Sequence, residues 1–538
     1  MLRVILLHST ELVEQNSSLP PGSFGTVLQL ITSIMLSIDA FCATHASLLS
    51  MELAEEQEQL KPQPVTHSRF SAPDKEQHSA SSSTLASLIL DSLSIGLYGK
   101  TYATFTSFSP PAALQTKLSV GDEVDVKQKS DSKTTAAHSS AAPAPLISGI
   151  ISSVGDSSLT LVLSEPPRPK LSKSSTPSPT ISDLVPPLSL HSKSSIAVHK
   201  KINAALASLK SSQYNHPIAG NVISLLFPLT TPAPAPPLPP PPPLTLFNDS
   251  LDSSQQSAIS FSLNTPTLSL IHGPPGTGKT TALVELLLLS VATRKKILVC
   301  APSNVAVDNL VTRLAATARA PVLLRLGHPS RLSPAVLKHS LSHRVATHTN
   351  MEVIATARSD MSTLLKTSED SRKSWSDRRA ARDEMRELRK DIRKREDAIT
   401  ANIIAGTDIV LATTVGAASR LLRNTVFDLV VIDEAAQAIE GSCWIPILKG
   451  QKLVLAGDHL QLPPTVKSAK AATSGLGVTL FDRAMKLYEH DLCRMLTVQY
   501  RMNRLISDWA SGAMYDGKLT PAKSVADRTL QGQPVRAS

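Results

Sequence analysis

The rhythm of hydrophobic and polar positions changes several times along the chain. Residues 41–61, FCATHASLLSMELAEEQEQLK, place Leu48, Leu49, Leu53 and Leu60 at spacings that fit one face of a helix beside an acidic face. Between about 86 and 166 the period shortens. The runs GKTYATFTSF, DEVDVKQ, PLISGIISSV and SLTLVLSE, punctuated by Gly and Ser, predict the strands of a small β-barrel or sandwich. Inside it, SDSKTTAAHSSAAPAP holds too little apolar surface to order itself. SEPPRPKLSKSSTPSPTISDLVPP is similar, SIAVHKKINAALASL reads as a helix, and Ala233–Leu244, APAPPLPPPPPL, forms a polyproline II spacer. A stiff linker is the favoured reading of that spacer, and a ligand for a proline-binding partner is the other. From Leu246 onward, TLSLI, KILVCA, DLVVID and KLVLAG alternate with helical stretches, which predicts an α/β domain with a parallel sheet wrapped by helices.

One stretch of that domain differs. Residues 366–397 carry 12 basic and 9 acidic residues, and Ala381, Met385, Leu388, Ile392 and Ile399 form a single apolar seam. This predicts a long exposed helix, one half of a helical hairpin. Arg378, Arg382, Arg386, Lys390 and Lys394 recur every four residues. They suit either a solvated face held by internal ion pairs, the favoured reading, or a grip on successive phosphates.

Composition narrows the class only a little. With 538 residues, 41% hydrophobic content and a formal charge of +10, the chain has room for several domains and a mild preference for polyanions. Cys42, Cys300, Cys443 and Cys493 are too far apart for a zinc or redox motif and read as reduced thiols. The apolar run from Gly25 to Ile38 is too short to cross a hydrocarbon core of about 30 Å, and MLRVILLHSTELVEQ lacks the layout of a signal peptide. The expectation is a cytoplasmic or nuclear protein without a membrane partner.

Chemistry enters at GPPGTGKT, Gly273–Thr280, which fits G-x-x-x-x-G-K-[ST] with an apolar strand before it and a helix after it. Glycines such as Gly273, Gly276 and Gly278 let successive N–H groups converge on phosphate oxygens, with Thr277 and Thr281 as further cofactor-binding positions. Lys279 is placed to reach the β and γ phosphates, and Thr280 to hold Mg²⁺. A second acidic anchor stands at the end of FDLVVIDEAAQA, with Asp433 suited to the metal and Glu434 to activating the attacking water. Together they predict a P-loop NTPase that hydrolyses a nucleotide.

KILVCAPSNVAVDNL, DEAAQ, KLVLAGDHLQLPPT and LTVQYRMN resemble the motif set of superfamily 1 helicases of the Upf-like group. LLRLGHPSRL, SCWIPIL and IGLYGKTYATF resemble its immunoglobulin mu-binding branch. The resemblance implies ATP and Mg²⁺ as cofactors and a RecA-like first lobe. It also implies an accessory barrel on a helical stalk, an inserted hairpin, and 5′-to-3′ movement on single-stranded nucleic acid. By the same resemblance Gln255 reads adenine, Gln461 senses the γ phosphate, and Arg501 reaches it from the second lobe as a catalytic arginine finger. Ser303, Asn304, Thr413 and Thr414 touch the strand backbone, so binding is expected to be independent of base sequence. Asp252 stands where the family usually has Asn.

The chain departs from the family after QYRM, where about 40 residues remain and the later motifs are absent. The expectation is a fragment whose second RecA-like lobe is mostly missing, whose last residues pack loosely or fray, and which binds ATP with impaired unwinding. A nucleotide-dependent nucleic-acid-binding module without motor activity is the alternative. The segments read as 1–40 unassigned, 41–85 stalk helix and flexible stretch, and 86–166 barrel. They continue as 167–245 low-complexity segment, stalk helix and linker, 246–495 first lobe with its charged insert at 366–397, and 496–538 the start of a second lobe.

Overall fold

A computed structural model describes residues 37–59, 84–95, 101–107, 118, 122–128, 147–155, 157–163, 187–192, 196–228, 245–348, 351–369 and 372–528. Residues 1–36, the polyproline spacer and residues 130–145 and 164–186 of the Ser/Pro-rich insertions lie outside the described residues, while residues 38–40 of the segment read as unassigned begin the first helix.

Helix α1 (Ile38–Gln59) is followed by strands β1 (Thr84–Ile95), β2 (Thr101–Ser107), β3 (Glu123–Gln128), β4 (Ile147–Val154), β5 (Ser158–Leu163) and β6 (Leu188–Ser192). They close into a barrel in the order β1-β2-β5-β4-β3-β6, every pair antiparallel. Alternate residues such as Ala103, Phe105, Val124, Val126, Leu159 and Leu161 fill its interior, as strand periodicity requires. The barrel extends past the range read from the sequence. Its sixth strand, LSLHS, lies directly after low-complexity text and shows only two inward apolar residues, Leu188 and Leu190. Pairing with both β1 and β3 gives that weak strand its place.

The larger domain holds the parallel sheet. Its order is β13-β7-β12-β11-β8-β10-β9, built from Leu268–His272 (β7), Ile297–Ala301 (β8), Leu323–Arg325 (β9), Ile409–Thr413 (β10), Phe427–Ile432 (β11), Gly450–Gly457 (β12) and Cys493–Met495 (β13). Successive strand residues serve opposite faces and both faces are covered, so the central strands read as unbroken apolar runs. Ile297, Val299, Leu411, Val431 and Val454 face one core, and Leu298, Cys300, Val410, Val430 and Leu453 face the other. The first core is closed by Leu283, Leu286 and Leu287 of α5 (Lys279–Ala292) and Leu310, Val311 and Leu314 of α6 (Asn304–Ala315).

The second core takes in the stalk. Helix α1 and α2 (Ile196–Ser212), with the short α3 (Gly220–Leu226), pack on α10 (Glu440–Ile447), where Phe41, Phe227 and Trp444 form an aromatic cluster. A Cβ on Gly441 would lie 2.9 Å from the Ile202 side chain, so only glycine admits α2 this closely. Glu52 of α1 seals the joint, its carboxylate accepting from the backbone N–H of Lys467 at 2.8 Å and of Ser468 at 2.9 Å.

The remaining helices are α4 (Ser253–Asn264), α7 (Leu341–Ala346), α8 (Met351–Glu369), α9 (Trp375–Ala405), α11 (Leu480–Leu492) and α12 (Arg504–Met514). The charged stretch spans the turn of a hairpin made by α8 and α9. Ala381, Ile392 and Ile399 are buried along the seam, and Glu396 is buried in an ion pair with Arg358 at 2.5 Å. Among the described residues all four cysteines are free, and no helix is long and apolar enough to cross a membrane.

The segment after Leu496 corrects the expectation of loose packing. Leu496 donates its N–H to the His272 carbonyl at 2.8 Å, and β14 (Val498–Gln499) pairs in parallel with β15 (Thr520–Pro521). Tyr515 and Leu519 are buried. Two apolar anchors and a strand pair hold a stretch that composition alone marks as a tail.

Removing the Glu52 carboxylate strands two backbone donors, that of Ser468 buried and that of Lys467 partly so. Glu52→Ala is therefore expected to lower unfolding free energy by about 1–3 kcal/mol, measured by urea denaturation; an unchanged midpoint contradicts the stalk contact.

Candidate nucleotide site

Strands β7, β8, β10, β11 and β12 run parallel, so their carboxyl ends open on one edge of the sheet. At that edge the chain leaves β7 at His272, enters GPPGTGKT and turns into α5. Gly276 (φ 78°) and Gly278 (φ 74°) take left-handed backbone that side chains disfavour. A Cβ on Gly276 would come within 2.6 Å of the Arg501 Cβ. The Thr277 hydroxyl is buried and donates to the Pro274 carbonyl at 2.8 Å, so it braces the loop. Thr280 and Thr281 lie half-buried in the first turn of α5.

Lys279 meets both acids of β11, its Nζ 2.7 Å from Glu434 Oε1 and 3.2 Å from Asp433 Oδ1. Burial pulls the ammonium pKa down, but the two carboxylates outweigh it and hold it above the ordinary lysine value. Glu434 sits in left-handed backbone at φ 53°, ψ 38°, which costs about 1–2 kcal/mol for a residue with a side chain. Its N–H donates to Asp433 Oδ1 at 2.9 Å. The donor set of a threonine hydroxyl beside an aspartate oxygen suits a hard divalent cation.

Gln255 serves the protein itself. Only 4% exposed, it donates from Nε2 to the Thr277 carbonyl at 2.9 Å and accepts at Oε1 from the Asp252 N–H at 3.1 Å. With Asp252 it forms the capping box of α4, and Asp252 also accepts from the Tyr500 hydroxyl at 3.1 Å. Each end of the amide makes one hydrogen bond inside the chain, so the side chain braces the phosphate loop.

Asp458, the acid of GDHLQ, is the hub that motif reading passed over. His272 Nε2 lies 2.9 Å from its Oδ1, while Oδ2 accepts from Gln461 Nε2 and from the Tyr515 hydroxyl, each at 2.7 Å. Burial pushes the carboxyl up, but these hydrogen bonds outweigh it and hold the pKa at about 2. Burial and the neighbouring Asp458 push the Tyr515 phenol up. A signal was present: Asp458 ends β12 as Asp433 ends β11.

Arg501 stands beside the loop. Tyr500 donates its N–H to the Gly276 carbonyl at 2.8 Å, and Gln499 Oε1 accepts from the Arg501 N–H at 2.8 Å. The Arg501 guanidinium is exposed and pairs with no carboxylate among the described residues.

The strand-contact candidates sit next to one another because Thr413 pairs with Ala301 across β10 and β8. Ser303 caps α6 by accepting from the Ala306 N–H at 3.1 Å, and Asn304 Oδ1 accepts from the buried Arg325 at 2.9 Å. Thr413 Oγ1 accepts from Gly416 at 3.0 Å. Thr414 corrects its expectation: at 2% exposure its side chain lies in the protein interior, so only Thr413 of the pair is open at this edge.

Two protein-family models, both described as an AAA domain, match residues 250–469 and 476–537. The DNA-binding protein SMUBP-2 of Rattus norvegicus is 44% identical over 343 residues, covering 62% of this chain and 34% of the relative. DNA polymerase alpha-associated DNA helicase A is 45% identical in Schizosaccharomyces pombe, over 53% of this chain and 42% of the relative. The protein of that name in Saccharomyces cerevisiae is 32% identical over 83% of this chain and 67% of its own length. The chain thus spans about a third of the length of the SMUBP-2 relatives it matches.

Two outcomes follow from the Asp458 hub. Tyr515→Phe removes one of its four donors and is expected to speed amide exchange across residues 496–528 while leaving the barrel unchanged; equal protection in both forms contradicts the latch. The depressed Asp458 pKa adds stability above the ordinary carboxylate value near 3.9 and loses it as pH falls toward about 2. Asp458→Asn should therefore flatten the acid limb of stability between those values, read from denaturation midpoints.

Proposed function

Since this chain belongs to the Upf-like group of superfamily 1 helicases, we propose that it binds ATP with Mg²⁺ and couples hydrolysis to movement on single-stranded nucleic acid. The single observation that carries the reading is the convergence of Lys279, Asp433 and Glu434 on a glycine-shaped loop at the carboxyl edge of the sheet. An isolated buried ammonium would be costly, and here the two acids stand in as its counter-charges. Arriving β and γ phosphates exchange those partners for phosphate oxygens, which releases both carboxylates.

Thr280 and Asp433 would hold Mg²⁺, whose charge would offset that of the phosphates. Glu434 orients water for attack on the γ phosphorus and takes its proton as the bond to the ADP oxygen breaks. Arg501, unpaired and seated against Gly276, is positioned to add charge to the transferring group. Gln461 reports the site's state through Asp458, to which it is bonded at 2.7 Å.

Ser303, Asn304 and Thr413 serve as contacts to the strand backbone, which carries little base information, so binding is sequence-independent. DNA and RNA both fit that chemistry. A place in the cytoplasm or nucleus and a proline-binding partner at Ala233–Leu244 belong to the same proposal. The docked segment after Leu496 favours a second reading, in which the chain grips strands in a nucleotide-dependent way without moving.

Lys279→Ala is expected to abolish tight binding of a fluorescent ATP analogue, and Asp433→Asn to raise the Mg²⁺ needed for turnover. Unchanged nucleotide binding in the first variant overturns the site. Strand-stimulated ATP hydrolysis together with unwinding of a tailed duplex separates the motor from the grip, and hydrolysis without unwinding favours the second reading.

A further inference from the structure

The arginine-rich stripe of α9 divides into two halves that behave differently. Toward the base of the hairpin Arg386 lies 2.9 Å from Asp383, Lys390 3.8 Å from Glu387 and, beside the stripe, Arg395 2.7 Å from Asp391, while Lys394 has no ion pair among the described residues. That half is a solvated face with internal ion pairs. At the tip, Arg378, Arg379 and Arg382 pair with no carboxylate among the described residues, and the buried Nε of Arg378 has no hydrogen-bond partner. Between them stands Trp375, 67% exposed, with the Arg379 guanidinium 5.3 Å from its ring centroid. These residues line a surface cavity of about 430 Å³ together with Asp383 and Arg386.

The exposed indole offers a flat apolar face, and three guanidiniums with no ion pair among the described residues stand around it. A ligand that satisfies both must offer a flat apolar face and closely spaced negative charges. Arg378 and Arg382 are one helical turn apart, about 6 Å along the axis, a spacing near that of successive phosphates on a strand. An acidic peptide meets the charge but not the ring; a nucleotide chain meets both.

We propose that the hairpin tip is a separate seat for single-stranded nucleic acid, in which a base stacks on Trp375 and the flanking phosphates pair with Arg378 and Arg382. The seat lies on the inserted hairpin, apart from Ser303, Asn304 and Thr413 at the sheet edge. It therefore lengthens the strand the protein holds without adding base selectivity.

Tryptophan fluorescence of the full chain tests it. The chain has three tryptophans, of which Trp444 is fully buried, so in a Trp509→Phe background the exposed signal belongs to Trp375. A 20-residue oligothymidine is expected to quench that signal, and inorganic polyphosphate to displace it without comparable quenching. Arg378→Glu with Arg382→Glu should weaken oligothymidine binding, followed by anisotropy, about tenfold and reduce the salt slope by about two. Binding of a fluorescent ATP analogue should stay unchanged.

Saturation with oligothymidine but no quenching, or equal affinity in the double variant, overturns the seat while leaving the proposed helicase reading intact. Quenching by a polyglutamate peptide instead of oligothymidine assigns the cluster to an acidic protein and also overturns it. Loss of nucleotide-linked strand binding with the quench retained removes the helicase reading and leaves this one.

Discussion

One buried carboxylate holds three distant parts of the chain in register. Asp458 ends β12, His272 ends β7 beside the phosphate loop, and Tyr515 arrives from the segment after α12. A charge taken out of water is stable only when its lone pairs are filled, and here His272, Gln461, Tyr515 and the Leu460 N–H fill them. Any shift of the phosphate loop, of the GDHLQ turn or of the C-terminal segment leaves that charge short of a partner. The three elements therefore move together or at considerable cost, which is the property a nucleotide-responsive site requires.

The Lys279 cluster is bistable in a complementary way. The Lys279 ammonium is held between two carboxylates, so its charge is balanced and one negative charge is left over in a largely buried setting. Under the proposed function the same three groups would serve as a lysine for phosphate and two acids for metal and water. The left-handed backbone at Glu434 keeps its carboxylate turned toward this cluster, a strain tolerated where it positions chemistry. Gln255 stiffens the loop from behind, and its capping box ties α4 to it.

The peripheral elements obey different physics. The stalk is part of the core: Phe41, Ile202 and Trp444 share one apolar cluster with the sheet, and Glu52 finishes the joint with backbone hydrogen bonds. The hairpin instead reaches into solvent, where exposed ion pairs contribute little and charge is free for recognition. Rigidity at the stalk and open charge at the hairpin give the two flanks of the lobe separate tasks.

The sequence by itself determined the α/β domain, the glycine-lysine loop and the acids of DEAAQ, because buried parallel strands are written as apolar runs and phosphate binding demands residues in a fixed local order. It also determined the two stalk helices and most of the barrel, through their local periods. Only the tertiary structure decided the rest. Leu188–Ser192 and Cys493–Met495 are too short to announce themselves and become strands only because neighbours offer them hydrogen bonds. Thr413 and Thr414 are alike in sequence, yet Thr413, the last residue of β10, is half-buried and Thr414, just past it, is interior. That the Gln255 amide also braces the phosphate loop through the Thr277 carbonyl is visible only in the fold. Asp458, His272 and Tyr515 lie up to 243 residues apart, as His272 to Tyr515, and no local pattern marks a hydrogen-bond network whose members meet only when the sheet has assembled.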